Sequence, residues 1–135
     1  MCFESKVAGL AAQRRSPQLL EELWVLIDKM EELAAQGDVE AFKGLDQRFH
    51  NMVAACTENE AIEQQTAALV LHLYQPVWLA LQKVYLADEQ LGGMQDSLRE
   101  HRRIVDAVER QDAAAAEVAM WDHLAMVQRR LGAEA

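Results

Sequence analysis

Apolar residues recur along this chain every three or four positions, the spacing of a helix with one buried face. In the first segment they fall at Phe3, Val7, Leu10 and Ala11, predicting a helix from Phe3 to Arg14. Ser16-Pro17 then marks a restart, because serine caps free N–H groups and proline's missing N–H costs nothing at a first helical position. The second helix runs to about Ala35 with Leu20, Leu23, Trp24, Ile27 and Met30 inward, and Gly37-Asp38 ends it and caps the next. The third, Asp38 to about Ala55, turns Phe42, Leu45, Phe49, Met52 and Val53 to one side.

After a turn around Thr57-Glu58-Asn59, a long helix is predicted from about Asn59 to Val84. Pro76 falls inside it and should kink it or divide it in two. The stretch from Ala87 to Met94, with Gly92-Gly93, is the one loop of real length. Two helices follow, from about Gln95 to Arg110 and from Asp112 to Leu131, the second capped by Asp112. No segment alternates with the period of two that a strand requires. No internal repeat occurs, and the only low-complexity run is Ala113 to Ala116. The pattern predicts an all-α fold: an antiparallel bundle of six or seven helices, with residues 1–135 forming a single domain.

Composition narrows the partners. Hydrophobic residues make up 51% and charged residues 26%, which excludes a disordered chain and a membrane-embedded one. The most apolar stretch, Thr66 to Leu81, is interrupted by His72, Gln75 and Pro76, short of the roughly 18 residues that span a bilayer. The opening MCFESKVAGL has neither the basic start nor the cleavage site of a signal peptide, so the expected compartment is cytoplasmic. A net charge of −9 argues against direct phosphate binding by this domain. The basic doublets Arg14-Arg15, Arg102-Arg103 and Arg129-Arg130 are scattered and form no stripe. Cys2 and Cys56 fit no disulfide framework and no zinc spacing, and Cys56 reads as a small core residue.

Candidate chemistry lies in the four histidines. Asp46 and His50 are four residues apart and project from one helix face beside Leu45, Phe49 and Val53. His101 opens the inward row Ile104, Val105 and Val108, and His123 continues the row Ala116, Met120 and Val127. Each residue alone is explained as a satisfied core or boundary side chain. Together they are one carboxylate and three imidazoles converging from three helices, as in metal sites of helical bundles. Buried imidazoles cost stability unless something satisfies them, and a divalent cation does so. His72 has no carboxylate at helical spacing and reads as structural or pocket-lining. Trp24, Trp78 and Trp121 read as core or dimer-interface residues, with Tyr74 and Trp78 near enough to line a pocket.

The stretch LDQRFHNMVAACTENEAI, from Leu45 to Ile62, resembles the signature of the FCD domain, the effector domain of FadR-type GntR transcription regulators. The stretch from Leu98 to Leu124 resembles that family's C-terminal signature, with His101 and His123 at its two histidines. The opening FESKVAGLAAQRRS is similar to the family's first helix, which places Arg14 at its Ala-Ala-x-Arg arginine. The resemblance covers Phe3 to about Leu131. It implies a metal in the bundle core held by Asp46, His50, His101 and His123, with Zn, Ni, Fe or Mn suited to that donor set and Zn the default. It further implies a pocket for a small organic acid, a homodimer, and Arg14 as partner of the effector's carboxylate.

The family's N-terminal winged helix-turn-helix domain has no counterpart in these residues. DNA binding is therefore expected only through a domain absent from this chain. The function expected is a metal-dependent, small-carboxylate-sensing effector domain, not an enzyme. A helical metalloenzyme would need a general base near the metal, and no spare carboxylate or histidine stands on the ligand face. A metal-free helical interaction module is the other alternative, in which the histidines only pack.

Overall fold

The computed structural model describes residues 2–73 and 75–130, apart from the side chains of residues 2, 73 and 91. Seven α-helices make up the described residues: α1 (Cys2–Arg14), α2 (Pro17–Gln36), α3 (Val39–Ala55), α4 (Glu60–Leu73), α5 (Pro76–Ala87), α6 (Gly93–Glu109) and α7 (Ala113–Arg130). No strand occurs among them. The expected helix end at Leu131 and the candidate pocket residue Tyr74 lie outside the described residues.

The stop signals act as their chemistry dictates. The Ser16 side chain accepts from the Leu19 N–H at 3.1 Å, and Asp38 accepts from Ala41 N–H at 3.1 Å. Asp112 caps α7 through the Ala115 N–H at 3.0 Å. Between α2 and α3, Gly37 takes a left-handed φ of 71°, a conformation glycine adopts without a Cβ penalty. The long helix expected over Asn59 to Val84 is divided, since Pro76 starts α5 and cannot donate back into α4. Part of the expected loop is ordered as a 3₁₀ turn, Glu89–Leu91, and α6 starts at Gly93 instead of Gln95.

Cross-helix pairs set the directions. Lys6 pairs with Glu117 while the Gln111 side chain donates to the Gln13 carbonyl, so α1 runs antiparallel to α7. Arg103 meets Asp122 and Arg130 meets Glu100, so α6 and α7 are antiparallel as well. Trp24 donates to Glu109 and Arg102 pairs with Glu31, giving the same relation for α2 and α6. Helix α6 packs against α1, α2, α5 and α7 and is the centre of the bundle. Its inward residues Leu98, His101, Ile104, Val105 and Val108 are fully buried beside Phe42, Phe49, Leu23, Ile27, Met30 and Met120.

Alanines let α1 and α7 approach closely, with Ala8, Ala11, Ala12 and Ala116 wholly buried. Cys56 is buried, as expected. The core reading fails for two tryptophans: Trp78 and Trp121 are exposed at 37% and 42%. They sit on outward faces of α5 and α7, and single-position periodicity does not tell such a face from the inward one. Among the described residues no helix is long and apolar enough to cross a membrane.

Candidate metal centre

Helix α3 presents Asp46 and His50 one turn apart, α6 presents His101, and α7 presents His123. Each residue offers a donor atom, and the four atoms lie within 4.8 Å of one another. All four residues are at most 9% exposed, and His101 is fully enclosed. The rings pack directly: His50 stacks on His123 at 5.4 Å between centroids, and His101 lies 4.6 Å from His123. Phe49 meets the His101 ring edge-on at 4.4 Å and forms an apolar wall.

Oxygen atoms outside the cluster face the Nδ1 side of all three rings. His101 Nδ1 lies 2.6 Å from the Ser97 carbonyl oxygen, which can only accept, so Nδ1–H donates. His123 Nδ1 is 2.7 Å from Glu100 Oε1, itself held by the Arg130 guanidinium. His50 Nδ1 is 3.6 Å from Glu4 Oε1. For His101 and His123 these outer acceptors fix the tautomer that leaves Nε2 as the lone-pair atom, whereas His50 Nδ1 is buried without a hydrogen bond. His101 Nε2 and His50 Nε2 lie 2.7 and 3.5 Å from Asp46 Oδ1. The other carboxylate oxygen of Asp46 accepts from Lys43 Nζ at 2.5 Å.

The protonation tendencies follow from these contacts. Burial by itself would raise the Asp46 pKa, but the Lys43 ammonium, together with a proton shared with the facing Nε2 atoms of His101 and His50, outweighs it and holds the carboxyl well below its ordinary value. Burial lowers the His123 pKa to about 4, with the neighbouring His101 and His50 adding to the effect against Glu100. His123 is therefore a neutral donor at physiological pH. For His50, burial lowers the pKa, yet the hydrogen bond and charge of Asp46 and the charge of Glu4 carry it upward. Glu100 is held low because His123 and Arg130 overcome its own burial.

The donor set fits a divalent cation. A neutral His101 that donates from Nδ1 turns its Nε2 lone pair toward an anionic oxygen at 2.7 Å, which only a proton or a cation between them relieves. Nitrogen and carboxylate donors of this kind suit zinc and the later first-row metals.

Five supporting residues were not legible as such in the sequence: Glu4, Lys43, Ser97, Glu100 and Arg130. Ser97 and Lys43 stand one turn from a cluster residue, at i−4 and i−3, which was the available signal. Glu4 and Arg130 come from distant segments and carried none. Arg14 is not brought to the cluster. It is ten residues beyond Glu4 on α1, roughly 15 Å along the axis, and its guanidinium donates to the Thr57 carbonyl at 3.3 Å. His72 is exposed on α4, 3.5 Å from the Gln75 amide nitrogen.

Comparison with known proteins places these observations. A family model for the FCD domain matches residues 1–126. The chain is 30% identical over 128 residues to the galactonate operon transcriptional repressor of Escherichia coli (strain K12), covering 95% of this chain and 52% of that protein. It is 29% identical over 129 residues to the HTH-type transcriptional regulator LutR of Bacillus subtilis (strain 168), covering 93% and 56%. Among solved structures, Streptococcus agalactiae GntR is similar with a TM-score of 0.72 and 28% identity, over 93% of this chain and 52% of that one. The chain spans about half the length of the curated relatives it matches. Those relatives are transcription regulators, not enzymes.

Proposed function

The chain belongs to the FCD-domain family, and from that premise we propose that it is the metal-dependent effector domain of a FadR-type GntR transcription regulator, sensing a small organic acid. The observation that carries this reading is the cluster itself: four buried donors from three helices within 4.8 Å, with His101 and His123 turned by oxygens behind them. Asp46, His50, His101 and His123 would hold the ion. A bound divalent cation would supply a Lewis-acidic point to which an effector carboxylate adds as a further ligand.

The chain's own residues do the rest. Ser97 and Glu100 orient the imidazoles, Lys43 orients Asp46, and Phe49 excludes water from one side. The cluster ties α3, α6 and α7 together, so an effector that fits one packing of these helices better than another shifts their balance. In the full regulator that shift acts on DNA through a separate domain, with the effector domains paired as a homodimer in the cytoplasm.

Arg14 enters this reading as a remote anchor between α1 and the end of α3. Pairing with the effector's carboxylate, expected from its sequence position, requires an effector that extends well beyond the cluster. A screen of small mono- and dicarboxylates by thermal shift tests the sensing role. At least one acid should stabilise the metal-loaded protein, and the gain should vanish in the double variant His101→Ala, His123→Ala. Stabilisation that survives in that variant overturns the metal-coupled pocket. Loss of the response in Arg14→Ala would assign the extended pose. Full metal-free stability, with no metal copurifying, would favour the interaction module instead.

A further inference from the structure

The ring of His50 stands between two carboxylates on different helices. Its Nε2 is 3.5 Å from Asp46 Oδ1, one turn earlier on α3, and its Nδ1 is 3.6 Å from Glu4 Oε1 on α1. Both separations exceed an ordinary N–H···O distance. His50 Nδ1 is buried with no hydrogen-bond partner among the described residues, whereas the Nδ1 atoms of His101 and His123 meet acceptors at 2.6 and 2.7 Å. A buried N–H left in that state costs stability. Glu4 is buried too, in the first turn of a helix whose other end is fastened elsewhere. Arg14 donates to the Thr57 carbonyl just past α3, and Arg15 donates to the Val108 and Glu109 carbonyls at the end of α6.

We propose that Glu4 is a positioning residue of the metal centre, closing on His50 Nδ1 when the ion binds, and that α1 thereby registers whether the site is loaded. This rests on the metal reading above and adds a route from the ion to a helix that supplies none of the four donors.

The closure follows from the chemistry of the ring. His50 turns Nε2 toward Asp46, so ligation beside that carboxylate uses the Nε2 lone pair. In the Nε2–H tautomer the proton moves to Nδ1 through solvent; in the imidazolium the Nε2 proton is released to solvent. Either way the one remaining N–H is on Nδ1. Ligation also draws electron density from the ring and strengthens that donor, and a metal-bound histidine gives its other N–H to an outer acceptor almost without exception. Glu4 is the carboxylate that faces it. Without the ion the ring has a carboxylate on its own helix and one on α1 to choose between; with the ion only α1 remains. The gap to close, from 3.6 Å to about 2.8 Å for a charge-assisted bond, is small enough for the first turns of α1 to follow while Arg14 and Arg15 hold its far end.

The test is amide hydrogen exchange, read by mass spectrometry on the chain stripped with chelator and on the same chain reloaded with zinc. Zinc should slow exchange severalfold in the first turns of α1 and change little at the end held by Arg14 and Arg15. Glu4→Ala should abolish that slowing and weaken zinc binding by about tenfold or more in chelator competition. Lys6→Ala, which removes the exposed partner of Glu117 on the same helix, should leave the slowing in place. Far-UV circular dichroism checks folding, and Glu4→Met, similar in size and without an acceptor oxygen, carries the test if Glu4→Ala unfolds. Zinc that binds the wild-type chain without slowing α1, or slowing that persists in the folded Glu4 variant, overturns the closure and leaves the metal reading intact. A wild-type chain that takes up no zinc or other divalent metal overturns both.

Discussion

The Nδ1 atom of His101 lies 2.6 Å from the carbonyl oxygen of Ser97, one turn earlier on the same helix. This backbone acceptor fixes which ring nitrogen keeps its proton, and so turns Nε2 toward Asp46 Oδ1, 2.7 Å away. A ring oriented by the main chain needs no second side chain to hold it ready for an ion. Elemental analysis of the purified protein is therefore expected to find about one divalent metal per chain, with Zn the first candidate. His101→Ala should lose most of it, while His72→Ala, on the exposed face of α4, should retain it. Equal metal content in the two variants would exclude the cluster as the site.

His123 depends on a side chain for the same service. Glu100 accepts from its Nδ1 at 2.7 Å and is itself clasped by Arg130. Glu100→Gln keeps the shape but removes the charge that polarises the ring. Metal affinity, measured by competition with a chromophoric chelator, should fall by about 10- to 100-fold. An unchanged affinity would mean that His123 is held by packing alone.

Lys43 and Asp46 form a buried ion pair, with side chains 9% and 10% exposed. Removing one partner of such a pair leaves an uncompensated charge, at a cost of roughly 3–5 kcal/mol. Lys43→Met should show a loss of that order in metal-free protein, measured by urea denaturation. A bound cation would compensate Asp46 from the other side, so the loss should shrink when metal is restored. A loss of equal size in both states would show that Lys43 acts independently of the ion.

The sequence made the bundle and the four cluster residues legible because both rest on local rules. Apolar spacing fixed the faces of α2, α3 and α6, and Ser16, Asp38 and Asp112 signalled helix starts through their own side chains. Asp46 and His50 share a face by i, i+4 geometry, while His101 opens one inward row and His123 continues another. The supporting residues were hidden for the opposite reason. Glu4 approaches His50 only because α1 packs on α3, and Arg130 reaches Glu100 only across the α6–α7 interface. For Trp78 and Trp121, read as core or dimer-interface residues, exposure removes the core half, because an apolar row at helical spacing does not state which of two apolar faces the core claims. Arg14 was placed by motif position, which says nothing of the distance along α1 that separates it from the cluster.

Two glycines respond to the same substitution with opposite sign. Gly93 starts α6 at φ +49°, and a Cβ there would lie 2.8 Å from the Leu86 carbonyl oxygen. Gly93→Ala thus meets both a left-handed backbone and backbone that cannot move aside, and should cost about 2 kcal/mol or more. Gly44 sits mid-helix on the exposed side of α3 with nothing within 4 Å of its would-be Cβ. Gly44→Ala removes unfolded-state freedom at no steric cost and should stabilise by up to about 1 kcal/mol. Thermal melts that move in the same direction for both would contradict the assigned backbone of one of them.

Cys56 sets a boundary on the chemistry available to this domain. Its side chain is fully buried at the end of α3, and burial pushes the thiol pKa up to about 11. At pH 8 only about one thiol in a thousand is then ionised, and the thiolate is the reacting species. Ellman's reagent should leave Cys56 unmodified in folded protein at that pH and modify it promptly in denaturant. A Cys2→Ser background isolates its signal. Rapid native labelling in that background would place Cys56 at an accessible, activated position and reopen a redox role that its packing now excludes.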